Sequence, residues 1–338
     1  MIDNKLEWRL LKRLYSIHSP SGKEHKMIGF LLNHLKDIVP DIKMTKDGNG
    51  NIYIKKGDAQ TYPCMVAHLD QVQHNYPKDF KAIETRDIIF GYSPSEHSYI
   101  GPGADDKNGV FLCIEALKKY DCLKVALFTR EEVGCIGSNN CDMEFFKDCR
   151  FVIQCDRKGN SDFITTIGWS EICSDKFIQD VTPEKWGYQH GIGMMTDVQA
   201  LHERGLGVSA VNLSCGYYNP HSDEELTVKA DLVKCWRLVQ HIIEDCTETY
   251  THESDPFGQH FTEWDMEEEI YDILNNDPTL NGDDLYDMYH TNFTRLKRED
   301  FRQIAEEYRL LYGYDFNDEI QNPKENGKEN NDKEDLGF

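Results

Sequence analysis

Three short apolar runs constrain this chain more than any other feature. "CMVAH" (64–68), "LKVALFT" (123–129) and "FVIQCD" (151–156) have the length and composition of buried strands. Helical patterns lie among them: "NGVFLCIEALKKY" (108–120), "DVQALHERG" (197–205) before the strand-like "VSAVNLS" (208–214), and the long amphipathic "TVKADLVKCWRLVQHIIEDC" (227–246). Strands buried on both faces that alternate with helices predict an α/β domain with a mostly parallel central sheet and helices on both faces. In such sheets ligands bind beyond the carboxyl ends of the strands. The apolar runs stop at His68, at Arg130-Glu131-Glu132 and at Asp156. They are expected to converge on one rim.

The remaining segments extend this reading. Leu6, Leu10, Leu11 and Leu14 repeat with helical period, and "SPSGKE" then breaks the chain. Ser21 is placed as the cap of a second helix running to about Leu35. "DIKMTKDGNGNIYIKKG" reads as a hairpin turning at residues 47–50. The texture changes near Thr251. Residues 1–250 read as one α/β domain, 251–320 as a linker and a small C-terminal α-helical extension of three short helices, and 321–338 as a disordered tail.

Charge and cysteine usage exclude several partners. With 60 acidic and 37 basic residues the formal net charge is −23, which repels phosphate backbones and anionic membranes, so neither nucleic acid nor a membrane is expected. No apolar run approaches a membrane span. The 11 cysteines form no C-x-x-C pair and are expected to be reduced and buried. The first residues, "MIDNKLEWRLLKRLYSI", read as an amphipathic helix rather than a signal peptide, so a cytoplasmic location is expected.

The residues able to carry chemistry are His68, Asp105, Glu132, Asp156 and His221. Taken singly each is ordinary. An Asp at a helix start is a cap, an acidic pair is usually a solvated face, and a lone His is more often a satisfied polar group than a ligand. Their order and setting are more telling. "AHLD", "GADDKNG", "EEVGCIGS", "CD" and "PHSDEE" follow one another along the chain, accompanied by "SPSGKE", "DGNGNIYIKKG" and "TDVQALHERGLGVSAVNLSCG".

This series resembles the co-catalytic di-zinc exopeptidases, the superfamily of peptidase T, the tetrahedral aminopeptidases and the leucyl aminopeptidases, over about Lys5 to Cys246. The resemblance implies two divalent metal ions, zinc first with cobalt or manganese as substitutes. Asp105 would bridge them, His68 and Asp156 would complete one site, and Glu132 and His221 the other. It implies Glu131 as general base, Asp70 as the group orienting His68, and Asp106 outside the ligand set. Imidazole and carboxylate donors suit such ions, and shared ligands leave positions open for water and substrate.

Departures from the family pattern carry their own expectations. Both intervals that hold inserted lid or dimerisation domains in relatives are short here, so residues 1–250 are expected to form the catalytic domain without a large lid. Met194 and Met195 stand where relatives carry a Gly-Gly pair, and core packing is their expected role. Asp197 is expected near the site. The pair Tyr217-Tyr218 is a candidate lining for an apolar pocket, and Arg130 for contact with a carboxylate. The leading function is hydrolysis of short peptides, as an aminopeptidase or a di- or tripeptidase. The alternatives are an N-acyl amino-acid deacylase acting on acyl-amino-acid substrates, and a non-catalytic binding module. The residues leave the oligomeric state and the end of the peptide attacked open.

Overall fold

The computed structural model describes residues 6–168, 170–252, 270–271, 273–274, 280–289 and 297–312. The chain divides into two compact units, Met1–Pro256 and Phe257–Phe338.

The first unit opens with helices α1 (Trp8–Tyr15) and α2 (His25–Ile38) and the hairpin β1 (Ile42–Lys46) and β2 (Ile52–Lys56). Asp47 shapes that hairpin turn by accepting from the backbone N–H groups of Asn49 and Asn51 at 2.8 and 3.0 Å. Then follow β3 (Tyr62–His68), β4 (Lys81–Glu84), β5 (Ile88–Ser93), β6 (Ser98–Tyr99), α3 (Ala104–Lys119), β7 (Leu123–Phe128), α4 (Ile136–Asn139) and β8 (Cys149–Arg157). The unit continues with β9 (Asp162–Ile167), β10 (Ser170–Glu171), α5 (Asp175–Val181), β11 (Gln189–Gly193), α6 (Asp197–Glu203), β12 (Ala210–Ser214), β13 (Tyr217–Tyr218), β14 (Leu226–Val228) and α7 (Lys229–Asp245).

The main sheet runs β1-β2-β7-β3-β8-β12-β9-β10, with β11 added to β9. Its centre, β7-β3-β8-β12, is parallel, while its margins are antiparallel where the β1–β2 hairpin meets β7 and β9 meets β12. Period-two alternation divides each central strand between two cores. Met65 and Ala67 of β3, Val125 and Leu127 of β7, and Phe151 and Ile153 of β8 enter the larger core beneath α1, α2, α3, α5 and α7. Cys64 and Val66, Ala126 and Phe128, and Val152 face the other core with Val198 and Leu201 of α6. Every position of β3 is buried, which explains its unbroken apolar run.

A second, antiparallel sheet orders β13-β14-β5-β4, with β6 on β5. Its strands come from the interval between His68 and Asp105 and from both sides of residues 219–225. The pairing of β14 with β5 therefore carries the His221 loop toward the start of α3.

In the second unit, Leu285 of helix Gly282–Tyr289 and Phe301, Ile304, Ala305 and Tyr308 of helix Arg298–Tyr312 pack with Ile270 and Leu274. Asp283 pairs with Arg298 at 3.1 Å and Arg302 at 2.7 Å. The first of the three expected short helices is described only at residues 270, 271, 273 and 274, which are helical, and the expected tail 321–338 lies outside the described residues.

All 11 cysteines are free, and only Cys122 is not fully buried. Among the described residues no helix is long and apolar enough to cross a membrane. Ser21 does not cap the second helix: α2 starts at His25, and the Ser21 hydroxyl donates to Asp70 Oδ2 at 2.7 Å. Met194 and Met195 do not pack in a core, being 76% and 50% exposed. They follow β11, whose one partner among the described strands is β9, so no second strand covers them.

Candidate metal centre

The parallel centre of the main sheet brings strand ends together. His68 closes β3 opposite Phe128 of β7, so the segment 130–132 that follows β7 emerges beside it. On the other side β8 pairs with β3, Val66 facing Gln154, which sets Asp156 at the same rim. Asp105 enters from the start of α3, where Asp105 and Asp106 depart from helical ψ and the peptide between them is cis. Gly103 precedes them at φ 67°, a conformation that favours glycine. Gly109 makes a different allowance, since a Cβ there would stand 2.3 Å from Asp106 Oδ1. That space lets Asp106 accept from Gly109 N–H at 2.9 Å and from His68 N–H at 3.1 Å, so it braces helix and strand rather than facing the cluster.

The sequence candidates form one cluster. Asp105 Oδ1 lies 3.2 Å from His68 Nε2, and its Oδ2 lies 3.3 Å from His221 Nε2. Asp156 Oδ1 is 3.6 Å from His68 Nε2, and Glu132 Oε2 is 3.2 Å from His221 Nε2. Glu131 Oε2 stands 3.8 Å from His68 Nε2. Two donor sets emerge that share Asp105: His68-Asp105-Asp156 and Asp105-Glu132-His221. His221 itself sits at φ 62° in the loop between β13 and β14.

Asp70 organises the back of this cluster. Its backbone oxygen lies 3.1 Å and its Oδ1 3.5 Å from His68 Nδ1, leaving Nε2 to face the acids. The same carboxylate accepts from the N–H groups of Glu131 and Glu132 at 2.9 and 3.2 Å. One buried side chain thus fixes both an imidazole and the turn carrying two acids.

Carboxylates outnumber imidazoles, and the titration of the cluster reflects it. Burial lifts Glu131 well above the carboxylate range, and burial with the charge of Asp105 lifts Asp156 to about 8. Hydrogen bonds to Asp105 and Glu132 raise His221 to about 10. For His68, burial alone would lower the pKa, but the charges of Glu131 and Asp156 outweigh it and raise it. Asp105 is held down despite burial by hydrogen bonds from His221 and His68. Among the described residues Glu132 Oε1 is buried and has no hydrogen-bond partner. An orphaned carboxylate oxygen in a surplus of anionic oxygens, with two imidazoles among them, suits divalent cations of the zinc class.

Several residues around the cluster escaped the sequence reading. Glu225, buried at the start of β14, accepts from the N–H groups of Gly103, Ala104 and Asp105 at 2.7, 3.0 and 3.0 Å. It is the last residue of "PHSDEE", a motif from which only His221 was given a role. Asn212 brackets the backbone of Asp156, accepting from its N–H and donating to its oxygen, while Thr196 Oγ1 lies 3.3 Å from Asp156 Oδ2. Asp197 is buried behind them, with Ser138 Oγ at 2.6 Å, and burial raises it to about 6. Tyr217 is buried with its hydroxyl 3.5 Å from Asp156 Oδ1, and Tyr218 donates to Asp231 at 2.7 Å. Arg130 reaches Asn49 Oδ1 at 3.2 Å.

No family model and no curated protein matches this chain. Solved structures do. Aminopeptidase PepT from Bacillus cereus superposes with a TM-score of 0.58 at 13% identity, over 73% of this chain and 100% of its own. A tripeptidase from Staphylococcus aureus gives 0.58 at 13% identity, over 72% and 98%. An aminopeptidase from the archaeon Desulfurococcus kamchatkensis gives 0.52 at 18% identity, over 71% and 96%. The chain thus shares the fold of these aminopeptidase and tripeptidase structures over most of its length.

Proposed function

We propose that this protein is a metal-dependent exopeptidase acting on short peptides, as an aminopeptidase or a di- or tripeptidase. The observation that carries the reading is the double engagement of Asp105, whose two oxygens address His68 and His221 on opposite sides. His68, Asp105 and Asp156 would hold one divalent ion, and Asp105, Glu132 and His221 the other, with zinc preferred and cobalt or manganese accepted by the same donors. When bound, such a pair supplies Lewis acidity toward a carbonyl oxygen and a water acidified to a pKa of about 7.

The chain's own groups handle the proton. Glu131 takes it from the attacking water and passes it to the leaving amine. Its position, with Oε2 3.8 Å from His68 Nε2, sets it beside the cluster where that water would lie. Asp70 holds the backbone that aims Glu131 and keeps His68 turned with Nε2 inward. The similar structures include an aminopeptidase and a tripeptidase, which supports a peptide substrate. A deacylase would use the same groups and differ only in the acyl portion it accepts.

The test is hydrolysis by the zinc-loaded protein of a panel of di- and tripeptides beside N-acetyl amino acids. Peptides are expected to be cleaved, with activity abolished by a chelator and restored by zinc. Glu131→Gln is expected to lower kcat by roughly 10²–10⁴ while metal content holds. Cleavage of N-acetyl amino acids alone would select the deacylase, and cleavage of nothing would return the fold to a binding role.

A further inference from the structure

We propose that an open hollow beside α1 and α2 binds a small organic anion carrying a flat apolar group, an aromatic carboxylate or an aromatic phosphate. The hollow measures about 430 Å³, within the range of about 300–1,000 Å³ usual for small-molecule sites. Its lining includes Arg13 of α1, Ser16, His18, Lys26 and Phe30 of α2, and Tyr76. None of these residues belongs to the donor groups of the candidate metal centre, so the inference stands apart from the peptidase reading.

Charge selects the ligand class. The lining holds an arginine, a lysine and an imidazole but no carboxylate. It runs against the chain as a whole, which has 60 acidic and 37 basic residues. Lys12, beside Arg13, pairs with Glu84 at 2.7 Å, whereas neither Arg13 nor Lys26 pairs with a carboxylate among the described residues. Asp37 borders a separate hollow of about 220 Å³ that shares Arg13 and Phe30, and it makes no ion pair with Arg13. Burial lowers the pKa of His18, its bond to Gln73 opposes the fall, and the charges acting on it most strongly, those of Lys107, Lys26 and His74, are all positive. The field in the hollow therefore draws anions that the rest of this acidic chain repels.

The lining groups are held in place without a ligand. The Arg13 guanidinium lies 4.5 Å over the Phe30 ring, and Phe30 stacks on His34 at 5.0 Å. In a second stack His18 lies on Tyr76 at 4.7 Å with 11° between the planes, and Tyr76 on Phe80 at 4.4 Å. His18 Nε2 also donates to the backbone oxygen of Gln73 at 2.7 Å, since a carbonyl can only accept. Side chains fixed in this way lose little freedom when a ligand arrives. A guanidinium meets a carboxylate or a phosphate with two parallel N–H bonds, and the aromatic walls favour a flat apolar body.

Isothermal titration calorimetry on the zinc-loaded full chain tests the site with four probes: benzoate, phenyl phosphate, inorganic phosphate and neutral benzamide. Saturable binding of benzoate or phenyl phosphate is expected, the tighter of the two naming the headgroup, with inorganic phosphate and benzamide weaker by roughly tenfold or more. Arg13 and Lys26 are both exposed. The double variant Arg13→Gln, Lys26→Gln should therefore keep the circular dichroism of the wild type while weakening the better probe by roughly tenfold or more. An anion bound through zinc would be held equally by the variant, and that result would overturn the proposal. So would the lack of saturable binding by either aromatic anion, or a control probe that binds as tightly as they do.

Discussion

Glu225 holds the backbone of Asp105: its Oε1 accepts the Asp105 N–H at 3.0 Å, and its Oε2 takes those of Gly103 and Ala104. The carboxylate at the centre of the site is therefore aimed by a second, buried carboxylate from another strand. Glu225→Ala would leave these N–H groups without their acceptor. An unsatisfied buried donor costs about 1–3 kcal/mol, so urea unfolding should show a loss of at least about 2 kcal/mol. Zinc affinity, read by competition with a chromophoric chelator, should fall roughly 10- to 100-fold. Unchanged affinity would mean that Asp105 keeps its position without this support.

Asp105 makes the sharpest prediction about metal. Of the three donor groups in the cluster, the two proposed to hold the ions both contain Asp105, and the third, His68-Glu131-Glu132, does not, so under the proposal Asp105→Ala would remove a ligand from both ion sites at once. Elemental mass spectrometry on protein purified without chelators is expected to find near two zinc-class ions per chain in the wild type and to lose most of them in the variant. By contrast, Asp156→Ala removes a donor from the His68 set alone, and about one ion should remain. Equal metal content in wild type and Asp105→Ala would refute a shared carboxylate.

What could be read from the sequence divides along physical lines. The central strands were legible because burial on both faces leaves a continuous apolar run, and the rule that sites lie beyond the strand ends pointed to His68, Glu131 and Asp156. His221 and Asp105 lie on no such run. The pairing of β14 with β5 carries the His221 loop toward Asp105, and only the motif order suggested that meeting. Ser21 misled because a serine before a helical pattern is a common cap. Here Glu24 takes the last position before α2 and accepts from Gly22 N–H at 2.8 Å, which frees the hydroxyl for Asp70. Met194 and Met195 misled because methionine is by type a core-filling residue. Whether a strand lies at the centre or the edge of a sheet is decided by pairing, which local pattern does not record. Glu225 was invisible in its role because its partners are backbone groups, and these leave no mark in residue type.

His202 on α6 is buried, its Nε2 has no hydrogen-bond partner among the described residues, and its ring stacks on His252 at 5.4 Å between centroids. Burial first, then the neighbouring His252, lowers its pKa to about 4. An unfolded histidine titrates near 6.5. Between those values the unfolded chain binds a proton that the folded chain refuses, so stability rises with pH across this window and falls on acidification. His202→Phe keeps an apolar ring beside His252 and removes the proton. The variant should therefore lose less stability than the wild type between pH 7 and pH 4.5, the difference being on the order of 1–2 kcal/mol in urea unfolding. Running both proteins in the same chelator makes the titration of the acidic cluster common to the two, so the difference isolates this imidazole. Parallel pH profiles would show that His202 takes up its proton within the folded chain.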